Sequence, residues 1–302
     1  MTSREEILEA FGRINVWSRG TERAPHKPLL VLYALGRLSR GEPPSIPFRE
    51  VAPRLTELLR EFGPSRKSFH PEYPFWRLQN DGIWIVDQTD SLLRRKGQTD
   101  VPKRELLAHD VHARFPEHIL ARLRCEPELL AEVALRLLDS HFPASLHEDI
   151  LDAVGLETRL TETVTRRKRD PDFRHRVLAV YEYGCAVCGF DVRLGRHTLG
   201  IEAAHIQWHQ AGGPDAECNG LALCSLHHKA FDLGAFTIQP DSVLLVSNEA
   251  HGQQGFDEWL LRFHGRSIRR PSGDDHLPAA RFLAWHQREV FKRPPRDVRQ
   301  SS

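Results

Sequence analysis

NGLALCSLHHKAFD, residues 219–232, sets two histidines side by side, His227 and His228, directly after the pair Cys224-x-x-His227 has closed. Upstream, Cys185-x-x-Cys188 repeats the same spacing at the end of a run that reads as a helix. A gap of two residues lets both members of a pair reach one tetrahedral ion, and two such pairs form a Cys3His set suited to structural zinc. The 36 residues from Cys188 to Cys224 exceed the spacer of a simple zinc finger, so another element is inserted between the halves. The deciding question is whether both histidines sit on one ion or each serves a different one. Successive residues of an α-helix diverge by about 100°, so neighbours can face two different ions. The other reading puts one histidine on zinc and the other in solvent.

The insertion reads LGIEAAHIQWHQAGGPDAECNGLALC, residues 199–224. His205 ends a β-like run, a Gly-Gly-Pro turn follows, and Asn219 precedes the apolar LALC. His205 and Asn219 are 14 residues apart, and His228 follows 9 residues later. Taken together, EAAHI, GG, CNGLALC and HHKAFD resemble the HNH endonucleases, over roughly residues 172–246. Their ββα-metal fold joins two strands and a helix around one divalent ion. The resemblance implies that His227 stands for the last zinc-binding cysteine, completing a structural Zn2+ site with Cys185, Cys188 and Cys224. It implies further that His228 ligates the catalytic ion, Mg2+ or Mn2+. His205 is then the general base, since imidazole titrates near neutral pH and can deprotonate the attacking water. Asn219 is expected to bond backbone across the loop and so orient His205. One position departs from the pattern: a metal ligand often precedes the base, and here Ala204 cannot coordinate. Glu202 or another side chain substitutes, or fewer protein ligands hold the ion. Asp232, four residues past His228, is placed to orient it, and His197 and His209 read as surface histidines.

Ahead of this centre, the pattern predicts helices at about residues 3–14, 27–39 and 49–62. HKPLLVLYALGRLS (26–39) is apolar nearly all round and reads as a central buried helix. FWRLQNDGIWIVD (75–87) predicts a β-hairpin about Asn80-Asp81-Gly82. Residues 103–154 return to helical patterning. The expected architecture is α+β: an N-terminal helical module with a small hairpin over residues 1–154, a polar linker over 155–171, and a zinc-stapled ββα-metal domain with a helical extension over 172–302. In the last part a helix is expected at about 171–182, strands within 236–247, and closing helices near 255–264 and 278–291. Trp259, Phe282 and Trp285 read as packing residues.

Two N-terminal segments, RAPHKPLL (23–30) and SRKSFHPEYPFWRLQNDGIW (65–84), resemble the sulfur-binding domain of phosphorothioate-dependent restriction endonucleases. The resemblance covers about residues 10–155, and in that family such a domain commonly precedes an HNH domain. Sulfur is larger, more polarisable and more weakly hydrated than oxygen, so it loses less on entering an apolar pocket. The resemblance places Tyr73, Pro74 and Phe75 at the wall, with His26, Lys27, Arg66, Lys67, His70 and Arg77 around it to hold phosphates and bases. Arg77 stands where a small residue is expected.

The net charge of +1 gives no bulk attraction to nucleic acid, but TRRKRD (165–170), GPSRKSFH (63–70) and LLRRKGQ (92–98) are local basic clusters. No run reaches the roughly 20 apolar residues of a membrane span. MTSREEILEAF reads as a charged helix without an export core, which places the five cysteines in a reducing cytoplasm where thiols favour metals. The reading is a modification-dependent restriction endonuclease acting on phosphorothioated double-stranded DNA. The alternatives are an HNH nuclease that reads a modified base or plain sequence, and a non-catalytic zinc-stapled DNA-binding protein. A single HNH site cuts one strand at a time, so a homodimer or two visits would be needed for a double-strand break.

Overall fold

The structure is a computed structural model and describes residues 3–16, 22, 24–94, 99–156 and 171–297. These form two compact units, with 3–16 and 24–156 in the first and 171–297 with residue 22 in the second. Of the expected linker, residues 157–170 lie outside the described residues, as do TRRKRD and the end of LLRRKGQ. Among the described residues no helix is long and apolar enough to cross a membrane.

The first unit is built around a helix buried along most of its length. Its opening helix α1 (Arg4–Gly12) starts at a reciprocal cap, with the Ser3 side chain accepting from the Glu6 backbone and the Glu6 carboxylate from that of Ser3. Helix α2 (His26–Ser39) is buried continuously from Pro28 to Leu38, as its all-round apolar pattern predicts. Around it pack α3 (Phe48–Phe62), α4 (Glu72–Arg77), α7 (Pro127–His141) and α8 (His147–Val154), with α5 (Lys103–Ala108) and α6 (Glu117–Cys125) nearer the edge. Each fully buried leucine of α2 stabilises the unit by about 1.5–3 kcal/mol.

The expected hairpin over 75–87 does not form. Phe75, Trp76 and Leu78 are all buried, a spacing that fits a helix, and they lie in α4 and the 3-10 turn that continues it to Asp81. Gly82 is left-handed at φ 76°, so its signal was real but marks the end of a helix, where Asn-Asp-Gly had suggested a hairpin turn. The strand that follows, β2 (Ile85–Val86), pairs antiparallel with β3 (His112–Arg114), inside a segment expected to be helical. With β1 (Ile46–Pro47) these make a three-stranded sheet in the order β1-β3-β2.

In the second unit, α9 (Pro171–Val180) lies across a two-stranded ladder. The Cys185–Cys188 turn comes next, then a small hairpin of β4 (Arg193–Leu194) and β5 (His197–Thr198). Strand β6 (Ile201–His205) pairs antiparallel with β7 (Gly220–Cys224), and α10 (Ser225–Asp232) follows β7 without a break. This is the two-strand-and-helix unit that the sequence implied. Phe173, Val177 and Leu178 from α9, Ala204 and Leu221–Leu223 from the ladder, and Phe231 from α10 share one core. Strands β8 (Phe236–Ile238) and β9 (Leu244–Val246) and helices α11 (Gln254–Trp259) and α12 (Ala280–Glu289) close it. Phe282 and Trp285 are buried there, but Trp259 is 48% exposed and its ring is not a packing residue.

Candidate active site and DNA-reading patch

The ladder fixes where the chemistry sits, because its register joins Ile201 to Cys224 at one end and His205 to Gly220 at the other. At the first end, Cys185, Cys188, Cys224 and His227 bring their donor atoms within 4.8 Å of one another. The sulfurs of Cys188 and Cys224 are 3.9 Å apart, close to the roughly 3.8 Å edge of a tetrahedron with 2.3 Å zinc–sulfur bonds. His227 Nδ1 lies 3.0 Å from the Cys224 sulfur, while its Nε2 is 2.7 Å from the Trp259 carbonyl. Donation to that carbonyl leaves Nδ1 as the free ligand atom, the usual arrangement at metal-bound histidines. Hydrogen bonds from the neighbouring thiols push the Cys185 thiol down and the Cys224 thiol up, as expected where lone pairs converge on one point. The residues fit a structural zinc ion. The backbone carbonyl of Trp259, rather than its ring, is what the closing helices contribute.

His228, one residue on, faces elsewhere. Its Nδ1 lies 2.5 Å from Glu202 Oε2 on β6, and its Nε2 lies 3.1 Å from Asp232 Oδ2, one helical turn along α10. Burial disfavours its charge, but Asp232 and Glu202 outweigh that and push its pKa up to about 9. A histidine between two carboxylates in this way suits a hard divalent ion that tolerates oxygen ligands.

His205 ends β6 with its ring stacked on Phe173 of α9, centroids 4.1 Å apart. Its Nε2 lies 2.7 Å from Asp215 Oδ1, and Arg176 Nη2 donates to the Asp215 carbonyl at 2.7 Å. Burial holds the His205 imidazole below its ordinary range, against the opposing pull of Asp215. The ring is therefore neutral near pH 7, as a base must be. Neither Phe173 nor Asp215 was singled out from sequence; Asp215 follows the Gly-Gly-Pro turn, a position with no spacing rule attached.

Asn219 is fully buried and bonds backbone on both sides of the loop: Oδ1 accepts from Gln207 N at 2.9 Å, and Nδ2 donates to the Gln207 and Pro214 carbonyls at 3.0 Å each. It thus laces the two sides of the loop that leaves His205. Gly212 adopts φ 78° to make the turn, and a Cβ on Gly213 would lie 1.9 Å from the Gln207 carbonyl oxygen. The Gly-Gly pair is the condition for that lacing.

The N-terminal residues divide into two groups. His26 opens α2, and its charge is disfavoured by burial and by Arg66 and His70, which lower its pKa to about 4. His70 and Tyr73 rings lie 5.2 Å apart, and the Arg77 guanidinium lies 4.7 Å over the Tyr73 ring. His26, Arg66, His70, Tyr73 and Arg77 therefore share one surface, with Arg66 and Lys67 exposed. Three of the expected residues are buried or nearly so. Lys27 forms an ion pair with Asp81 at 2.5 Å, both side chains nearly buried, so it fastens the start of α2. Phe75 is fully buried between Phe48 and Trp84, so it supports the patch from behind. Pro74 is buried as well and presents little ring surface. Arg77 is gripped by Asp100 through two bonds of 2.8 and 2.6 Å, which hold it over the Tyr73 ring.

The β6–β7 ladder and α10 lie within residues 185–239, which a family model described as HNH endonuclease matches. The chain thus carries an HNH endonuclease domain. A model described as ScoMcrA-like, DNA sulfur-binding domain matches residues 4–159, just over half of the chain, and the chain belongs to that family. Among solved structures, the sulfur binding domain of ScoMcrA complexed with phosphorothioated DNA is similar at 27% identity and TM-score 0.45, over 51% of this chain and 97% of that one. The type IV phosphorothioation-dependent restriction endonuclease ScoMcrA matches at 26% identity and TM-score 0.43, over 51% of this chain and 32% of its own. The modification-dependent restriction endonuclease TagI matches at 23% identity and TM-score 0.29, over 45% and 41%. No curated protein matches the chain.

Proposed function

We propose that the chain is a modification-dependent restriction endonuclease, in which residues 1–154 capture phosphorothioated double-stranded DNA and residues 172–302 hydrolyse phosphodiester bonds nearby. The observation that carries this is the succession, in one chain, of a DNA sulfur-binding domain and an HNH domain in which His205 ends β6, Asn219 directly precedes β7 and His228 lies on the helix that follows it.

In this reading, Asp215 accepts the Nε2 proton of His205 and leaves Nδ1 as the atom that takes a proton from water. Phe173 stacks the ring in place, and Asn219 holds the loop behind it. His228 would hold Mg2+ or Mn2+, and Cys185, Cys188, Cys224 and His227 would hold Zn2+. The chemistry a divalent ion supplies at such a site is neutralisation of charge on the phosphate and on the departing 3′ oxygen. At the other end of the chain, Tyr73 and the edge of Pro74 offer the apolar wall, with His26, Arg66, Lys67, His70 and Arg77 for the backbone around it. His26, held neutral, would donate or accept a hydrogen bond and not act as a point charge. Five free cysteines, three of them placed as metal ligands, suit a cytoplasmic protein. Double-strand cleavage would take two copies, as a homodimer, or two visits.

The test uses the full chain with Mg2+ or Mn2+ and matched duplexes with and without a single phosphorothioate. Selective cleavage of the sulfur duplex is expected. Equal cleavage of both would reject sulfur dependence and leave the nuclease assignment standing.

A further inference from the structure

We propose that Glu202 is the second protein ligand of the catalytic divalent ion, and that Asp232 is a positioning residue that sets His228 in its ligating tautomer. The proposal rests on the reading of His228 as a ligand of that ion.

The position directly before His205 is Ala204, which is fully buried in the core and carries no donor atom. Residues i and i+2 of a strand face the same side, about 7 Å apart along it. Glu202 therefore starts from the same side of β6 as Ala204, one pleat earlier, and has a longer side chain to span the difference. Its carboxylate is already aimed. Oε1 accepts from Ser225 Oγ at 3.2 Å, and Oε2 lies 2.5 Å from His228 Nδ1. The Glu202 side chain is 42% exposed, so this oxygen–nitrogen pair opens toward solvent, from which an ion and a phosphate arrive.

The two carboxylates around His228 are not equivalent. Asp232 is 1% exposed, and its Oδ1 accepts from Trp208 Nε1 at 3.1 Å, which leaves Oδ2 for His228 Nε2. A buried carboxylate anchored in this way takes the Nε2 proton and directs the Nδ1 lone pair at Glu202. Two lone-pair atoms 2.5 Å apart repel unless a cation offsets them: a proton fits that distance, and a divalent ion would hold both atoms at about 2.1 Å with the pair relaxed to roughly 3 Å. Carboxylate–histidine–metal chains have this form, and removing the outer carboxylate typically weakens the metal about 10–100-fold. A plain ion pair between Glu202 and His228 is the competing account, and the two predict different metal binding.

The test is Mn2+ binding to the full-length, zinc-loaded protein, followed by the electron paramagnetic resonance of free Mn2+, with no DNA present. Zinc content is measured in parallel, because Cys224 and His227 border the same helix as Asp232 and a merely structural fault would release zinc. Glu202→Gln is expected to weaken Mn2+ at least about 10-fold with zinc retained, and Glu202→Asp to weaken it less. Asp232→Asn is expected to weaken it about 10-fold or more, again with zinc retained. Wild-type Mn2+ affinity in both Glu202 variants, alongside loss of binding in His228→Ala, overturns the proposal and leaves His228 as a ligand. Unchanged affinity in His228→Ala as well overturns the underlying reading and the proposal together. Loss of zinc from Asp232→Asn makes Asp232 a structural residue and overturns its part of the proposal.

Discussion

His227 and His228 are chain neighbours with the same side chain, and everything around them differs. The first meets three thiols and a backbone carbonyl in a closed, buried cluster. The second meets two carboxylates, one buried and one open to solvent. Thiolates select soft, tetrahedral zinc, whereas oxygen-rich sites suit magnesium or manganese. A site with no open position can only hold structure together, and one with an open side can also take a substrate oxygen. The lesson is that residue type says little about a histidine's task until the neighbours on each ring nitrogen are known.

Exchanging one histidine at a time breaks the comparison most directly. His227→Ala is expected to release zinc, removing a contribution on the order of 10 kcal/mol to folding of the second unit. Thermal unfolding of the nuclease half, with metal analysis, measures it. His228→Ala is expected to keep zinc and folding while nicking falls on the order of a thousandfold; retained activity would show that the two sites are not separate.

The base gives the next largest effect. His205→Ala is expected to lower the cleavage rate by about 10²–10⁴ under saturating DNA, the usual range for a lost general base. Asp215→Asn refines it. The burial that depresses the His205 pKa is opposed by Asp215, so removing that carboxylate should lower the pKa further. The acid limb of the rate profile then moves to lower pH, and the plateau drops roughly tenfold as the tautomer is lost. A limb that stays in place would detach Asp215 from the base.

The last test separates the two units by acid. His26 and His141 in the first unit have folded pKa values of about 4, in both cases chiefly through burial. Their unfolded values are near 6.5, so the unfolded chain binds more protons as pH falls between those limits. Stability is whole above about pH 6.5 and declines toward pH 4, by up to about 3 kcal/mol per histidine. Urea titration from pH 7 to 4.5, with His141→Gln as the comparison, measures the slope.

The nuclease half was more legible in the sequence than the DNA-reading half, and the reason is physical. Metal and base residues must sit at fixed offsets on a short ladder, and spacing survives in one dimension. The patch around Tyr73 is assembled from α2, α4 and the segment between them, and its key partners, Asp81 and Asp100, are ordinary acids in sequence. Hence Lys27 and Arg77 read as loose cations although both are fastened by buried or nearly buried aspartates. The expected hairpin failed for a similar reason. Aromatic and β-branched residues fit a strand, but Phe75, Trp76 and Leu78 had a core to fill on one side, and packing overrode propensity.

The five-residue pairing of β6 with β7 also acts as a mechanical coupling. Because strand side chains alternate between faces, sliding this short ladder by one step would turn His205 away from Phe173 and Asp215. Cys224, at the far end of the same ladder, is pinned by the cluster it belongs to. A metal bound by that cluster would therefore keep His205 on its side of the ladder without touching DNA, and an inserted or deleted residue inside β6 is expected to disable cutting without altering any reactive group.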